Sequence, residues 1–118
     1  MAQLKALILI LSNTEKLDPL LSTFVMNDIH GCTIWDSEGM THRVVNSDND
    51  VSHFGGLRNF LNPNRDKSKT VFFVGTEEEV KKAMKLVINV IGDIDKPDTG
   101  VMFTLNVDEC FGIHDKDD

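Results

Sequence analysis

The stretch "GDIDKPDTG", residues 92–100, packs three aspartates, a lysine, a proline and two glycines into nine positions. Three chemistries fit it. As turn chemistry, Gly92 caps a helix, Lys96-Pro97 sets a rigid corner, and Asp98-Thr99-Gly100 leads into a strand. As a ligand loop, its backbone N–H groups line a cleft, and Gly100 allows close approach. As a cation site, Asp93, Asp95 and Asp98 supply carboxylates, although a calcium loop would also need a bidentate glutamate further along. Other residues offer less. His30, His42, His53 and His114 have no helical ligand spacing, so a histidine metal site would have to assemble across space or subunits. Cys110 and His114 could pair, but nothing supplies an orienting acid or an oxyanion hole. No catalytic residue and no metal ligand is assigned, and the expectation is a binding protein rather than an enzyme.

Around that loop, the elements read clearly. "LKALILIL", residues 4–11, is a near-continuous apolar run of the kind found in a strand buried on both faces. Asp18 as N-cap and Pro19 at the first helical position open a helix. Leu17, Leu20, Leu21, Phe24 and Val25 share one of its faces, and Gly31 closes it. A second strand follows over residues 32–37. Residues 40–68 show no sustained period and carry the turn-formers "NSDND", "FGG" and "NPN", with a short helical piece around residues 57–61. Loops of this length in compact domains are usually functional or mobile. Within the loop, Phe54, Leu57, Phe60 and Leu61 form an amphipathic patch with Arg58 exposed. That patch packs back on the body, forms a lid over the cleft or docks a partner, and Arg43, Phe54, Leu57, Arg58 and Phe60 are the candidate partner-docking residues.

A third apolar strand, residues 70–75, leads into Thr76-x-x-Glu79, a capping box. The helix it opens carries Val80, Ala83, Met84, Val87, Ile88 and Ile91 on one face, with Lys81, Lys82 and Lys85 outward. Gly92 ends it. In the last strand, residues 101–107, the alternation predicts Val101, Phe103, Leu105 and Val107 turned inward. Trp35 is expected in the core or at an interface in preference to serving as a ligand platform.

The order β-α-β, long loop, β-α-β predicts an α+β fold. It is the ferredoxin-like βαββαβ sandwich, a four-stranded antiparallel sheet with two helices on one face. Two helices cannot cover both sheet faces, so the uncovered one is expected to bury itself by self-association. A single domain over residues 1–113 with a charged tail, 114–118, accounts for the whole chain.

Composition narrows the classes. A chain of 118 residues with 41% apolar content can build one core. Its net charge of −7 argues against general nucleic-acid binding, which needs basic surface to neutralise phosphates. The charge is uneven: residues 41–70 hold five basic and three acidic residues, making +2, so the remainder is −9. Two widely spaced cysteines fit a reducing compartment. The longest apolar run is far short of the ~20 residues a membrane span needs. A cytoplasmic protein without membrane insertion is expected.

With these elements in place, the chain resembles the P-II signalling family across almost its whole length. "KLDPLL" is similar to the family's helix start, and "GCTIWDSEGM", residues 31–40, to its second strand leading into the T-loop. Residues 40–68 stand in the T-loop's place. "GDIDKPDTGVMFTLNV", residues 92–107, stands where the family has its B-loop and last strand. The resemblance implies a homotrimer that holds a small effector, often an adenine nucleotide, in clefts between subunits. A transporter or enzyme partner would be regulated through the central loop. By that resemblance Gly39 matches the glycine at the T-loop base, Gly100 the last B-loop glycine, and His114 the second of two C-terminal arginines. The candidate ligand contacts are Gly39, Met40, Thr41 and His42; Gly92, Asp93, Asp95, Lys96, Asp98, Thr99 and Gly100; and His114.

Several positions depart from the family pattern. Gly112 stands for the first C-terminal arginine, Val101 for the lysine after the B-loop, Thr41 for a glycine and His42 for an arginine. No tyrosine is present for uridylylation. The departures remove cations that a polyphosphate needs and leave the effector and any cofactor unidentified. The alternative class is a small trimeric ferredoxin-like metal-binding protein or enzyme using His, Cys and Asp side chains.

Overall fold

The computed structural model describes residues 3–40 and 67–113. Among the described residues, four strands and two α-helices follow in the order β1 (Leu4–Leu11), α1 (Leu17–Met26), β2 (Thr33–Ser37), β3 (Ser68–Thr76), α2 (Glu77–Ile91) and β4 (Gly100–Val107). The strands form one antiparallel sheet in the order β2-β3-β1-β4. The α+β ferredoxin-like arrangement read from the sequence is the fold of the chain.

Strand β1 holds the centre because it is apolar on both sides. Its Leu7, Leu9 and Leu11 join Val71 and Phe73 of β3 in a buried cluster with Leu20 and Phe24 of α1 and Val80, Ala83 and Val87 of α2. Cross-strand partners share a face of an antiparallel sheet. The pairs Leu7–Phe73 and Leu9–Val71 therefore mark the helix-covered side.

The same register corrects the reading of β4. Val101 pairs with Ile10, Phe103 with Ile8 and Leu105 with Ala6, which places all three on the face away from the helices. They are 41–57% exposed, whereas Met102 packs against the core. A period of two identifies the two faces but not which one the helices cover. The expected uncovered apolar face is present, and Trp35 of β2 lies on it, 47% exposed and 5.9 Å between ring centroids from Phe72.

Two helix boundaries also differ from expectation. A 3₁₀ turn, Thr14–Lys16, runs directly into α1, so the helix starts at Leu17 with Lys16 at its N-cap. Asp18 and Pro19 sit inside the first turn, where Asp18 still complements the helix dipole. At the other end, Asp28 adopts φ 64°, and the Ile29 N–H returns to the Phe24 carbonyl at 2.8 Å. This is a Schellman closure with an aspartate, not Gly31, in the left-handed position. Ile29 is buried as its hydrophobic anchor. Val25, placed on the apolar face by periodicity, is exposed.

Helix α2 follows its sequence closely. Thr76 Oγ1 accepts from the Glu79 N–H at 3.2 Å, and Glu79 Oε1 accepts from the Thr76 N–H at 2.9 Å. Gly92 caps the far end at φ 86°. Ile88, expected on its inner face, is partly exposed.

Candidate functional site

Residues 92–100 are tied to the body at three points. Ile94 packs against the core cluster. The Thr99 carbonyl accepts from both Ser12 N–H, at 3.0 Å, and Asn13 N–H, at 3.3 Å. Gly100 lies so close to β1 that a Cβ there would stand 2.7 Å from the Ile10 carbonyl oxygen. Inside the loop, Asp93 Oδ1 accepts from the Asp95 N–H at 3.1 Å, and the Asp93 carbonyl accepts from the Lys96 N–H at 3.2 Å. The Thr99 hydroxyl donates to the Pro97 carbonyl at 3.5 Å, and Asp98 takes φ 62°. These are the bonds that the turn reading of the sequence calls for. Asp93, Asp95, Lys96 and Asp98 nonetheless present exposed side chains. Among the described residues, no group of three or more His, Cys, Asp or Glu side chains is placed to hold a metal ion.

The second candidate segment follows β2. Gly39 and Met40 are exposed, and a Cβ on Gly39 would meet nothing within 4 Å. Gly39 is also absent from the residues with positive φ, so its local geometry imposes no need for glycine. Gly100 is different, because close approach of β1 excludes any side chain. Thr41, His42, Arg43, Phe54, Leu57, Arg58, Phe60 and His114, together with the expected helical piece near residues 57–61, lie outside the described residues.

The topology places both described segments at one end of the sheet. Leu11 pairs with Gly100 on one side and Lys69 on the other, and Ser37 pairs with Ser68 beyond it. Yet β2 and β4 form opposite edges. Three strand spacings, roughly 14 Å, separate them. One chain therefore does not bring Gly39 and Met40 against the acidic loop.

The sheet end also carries residues that the sequence reading did not single out. The Thr70 hydroxyl donates to Ser37 Oγ at 2.8 Å, and Ser37 Oγ lies 2.7 Å from Ser68 Oγ. No motif announces this cluster, because its members come from two strands that lie some thirty residues apart in the sequence. On the opposite face, Lys69 donates to Asp36. That hydrogen bond, and then the lysine's charge, hold the Asp36 carboxyl below its usual range. Cys32, just before β2, is half-buried, and burial pushes its thiol up to about 11. Cys110 is a free, exposed thiol.

Comparison with known proteins places the fold. The chain is similar to the crystal structure of Arabidopsis thaliana PII bound to citrate, with a TM-score of 0.62 and 14% sequence identity over 90% of this chain and 78% of that one. It is likewise similar to the crystal structure of a functionally unknown protein from Pediococcus pentosaceus, with a TM-score of 0.62 and 12% identity over 96% of this chain and 100% of that one. No family model and no curated protein sequence matches the chain. The shared property is thus a PII-like fold. Among the described residues, no helix is long and apolar enough to cross a membrane.

Proposed function

We propose that this chain is a PII-like regulatory protein that binds a small effector and is not an enzyme. It assembles as a homotrimer through the uncovered sheet face and acts on a partner, a transporter or enzyme, through residues 40–68. The observation that carries this reading is the apolar face itself. Trp35, Val101, Phe103 and Leu105 are all exposed beside Ile8 and Ile10 on one side of the sheet. A contiguous apolar face of this kind marks an interaction surface.

Self-association also offers a route past the separation of the two candidate segments. They occupy the same end of the sheet but opposite edges, so neighbouring copies packed face to face can set β2 of one beside β4 of the next. The effector cleft then lies between subunits, lined by Gly39 and Met40 from one and by the 92–100 loop from another. A small carboxylate or a nucleotide is the expected effector class; the similar plant structure holds citrate.

A thermal-shift panel tests the effector. It comprises ATP, ADP, AMP, cyclic nucleotides, bicarbonate, 2-oxoglutarate and citrate, each with and without magnesium. Ligand at a hundred times its dissociation constant adds about 2.7 kcal/mol, a shift of several degrees. Lys96→Glu in the exposed loop is the informative control, since Gly100 is occupied with backbone packing. A shift with one compound, lost in Lys96→Glu, supports the cleft. A flat response across the panel sinks the effector reading.

A further inference from the structure

The helices carry a groove of about 420 Å³ on their outer surface, away from the apolar sheet face. One wall is Asn27, which caps the end of α1, and the other is α2 from Glu78 to Asn89. Lys81, Lys82 and Lys85 line the groove, and all three side chains are exposed. At spacings of three and four, such side chains start about 5–6 Å apart on one helix surface. Lys81 pairs with Glu77 at 3.7 Å. Among the described residues, Lys82 and Lys85 make no ion pair. In a chain of net charge −7, three lysines against one lining carboxylate, Glu78, reverse the sign locally.

The rest of the lining decides which anion fits. Asn27 and Asn89 bring amide groups, each able to donate two hydrogens and to accept at one oxygen. Asn27 commits one hydrogen to the Thr23 carbonyl at 2.8 Å, which fixes its amide in place. Donors and acceptors side by side match a peptide backbone, which has both, better than a phosphate, which has acceptors alone. Glu78 is an acceptor for a backbone N–H but a like charge to a polyphosphate. An extended peptide lying along the groove turns alternate side chains to opposite walls, about 6.5–7 Å apart in each row. One row then meets the lysines at nearly their own spacing. For the other row, Leu86 is apolar lining, and Met26, directly before Asn27, is 82% exposed. Methionine is flexible and polarisable, which suits a surface that moulds to a partner. An anionic membrane is the poorer match, because its broad negative plane would face the charge of the whole chain.

We infer that the groove between the end of α1 and α2 docks an acidic segment of a partner protein, extended, with carboxylate and apolar side chains alternating. Lys82 and Lys85 hold the carboxylates, the asparagine amides hold the backbone, and Leu86 and Met26 meet the apolar row. The surface is separate from the effector cleft and from residues 40–68, and a trimer built through the sheet face leaves it open.

The probe is a short fluorescein-labelled peptide of alternating glutamate and leucine, followed by fluorescence anisotropy with the full chain. Its binding saturates with the unmodified chain. Lys82→Gln combined with Lys85→Gln weakens it by about tenfold or more, whereas Lys82→Arg with Lys85→Arg stays within about threefold. Lys16→Glu, at the other end of α1, changes the net charge as much as the paired glutamines do, and leaves the affinity within about twofold. Circular-dichroism melts check that each variant keeps the fold. Equal affinity in the unmodified chain and the glutamine pair overturns the assignment. So does an equal loss in Lys16→Glu, which would reduce the effect to net charge. Tripolyphosphate that binds more tightly than the peptide, through the same lysines, overturns it in favour of a phosphate site. Phosphatidylserine vesicles that sediment the chain through those lysines, with the peptide silent, overturn it in favour of a membrane. An unchanged anisotropy up to about 1 mM chain overturns it outright. The effector reading stands or falls separately, on the thermal-shift panel.

Discussion

Gly100 and the two cysteines show how a residue's neighbours set its chemistry. Gly100→Ala drives a methyl to 2.7 Å from the Ile10 carbonyl oxygen, which sits in a paired strand and cannot swing aside. Overpacking of this kind costs about 1–3 kcal/mol, read as a lower denaturant midpoint at unchanged slope. Gly39→Ala should leave the midpoint unchanged, because its Cβ meets open space. The cysteines differ through burial. With its thiol pushed up from 9.0 to about 11 by desolvation, Cys32 stays protonated where an ordinary thiol ionises. Since the thiolate is the nucleophile, iodoacetamide near pH 8 modifies exposed Cys110 well before Cys32, as peptide mass spectrometry would show. The linkage has a definite sign. The folded-state pKa is the higher one, so the contribution to stability is full below about pH 9 and is lost as pH rises through about 11. Asp36 is the opposite case. Its folded pKa is lowered by Lys69, so its small contribution is present at neutral pH and fades as pH falls below the ordinary carboxylate range.

Among the elements, α2 is the one whose sequence and structure agree most closely. The capping box binds two backbone N–H groups that otherwise lack intrahelical partners. Thr76→Ala should therefore cost about 1 kcal/mol, measured by urea unfolding. Helix α1 shows where local signals fall short. Asp-Pro is a good helix opening, yet the preceding 3₁₀ turn already has helical geometry and simply continues into Leu17. Its end is set by Ile29, whose burial pulls the chain back and leaves Asp28 in the left-handed conformation. A glycine three residues further on is then not needed for closure. In β4 the alternation was legible, but its sense was not. Which face meets the helices is fixed by register with β1, and register is a pairing between segments some ninety residues apart.

For the whole molecule, the exposed apolar residues of the sheet face away from the helices are the property with the largest consequence. Phe103→Glu or Leu105→Lys places a charge on a face that the proposed trimer would bury without compensation. Sedimentation velocity should then show a monomer where the unmodified chain sediments as a trimer, with far-ultraviolet circular dichroism unchanged because neither residue belongs to the helix-side core. If the unmodified chain sediments as a monomer, the assembly proposal is wrong and the face must be covered by something else. A trimer that survives both substitutions would move the interface away from this face.

The amino-acid sequence by itself determined the order and kind of the four strands and two α-helices seen among the described residues, since helical and strand periods, capping residues and turn-formers are local. It also determined that two helices would leave one sheet face bare, which is a matter of counting. Only the tertiary structure decided which β4 residues form that bare face and that Gly100, unlike Gly39, is a contact glycine. The same pairing placed Gly39 and the acidic loop at one sheet end yet on opposite edges. It also brought Ser37 together with Ser68 and Thr70, which lie 31 and 33 residues further along the sequence. Each of these depends on which strands are neighbours, and strand order comes from packing over long separations rather than from any local run of residues.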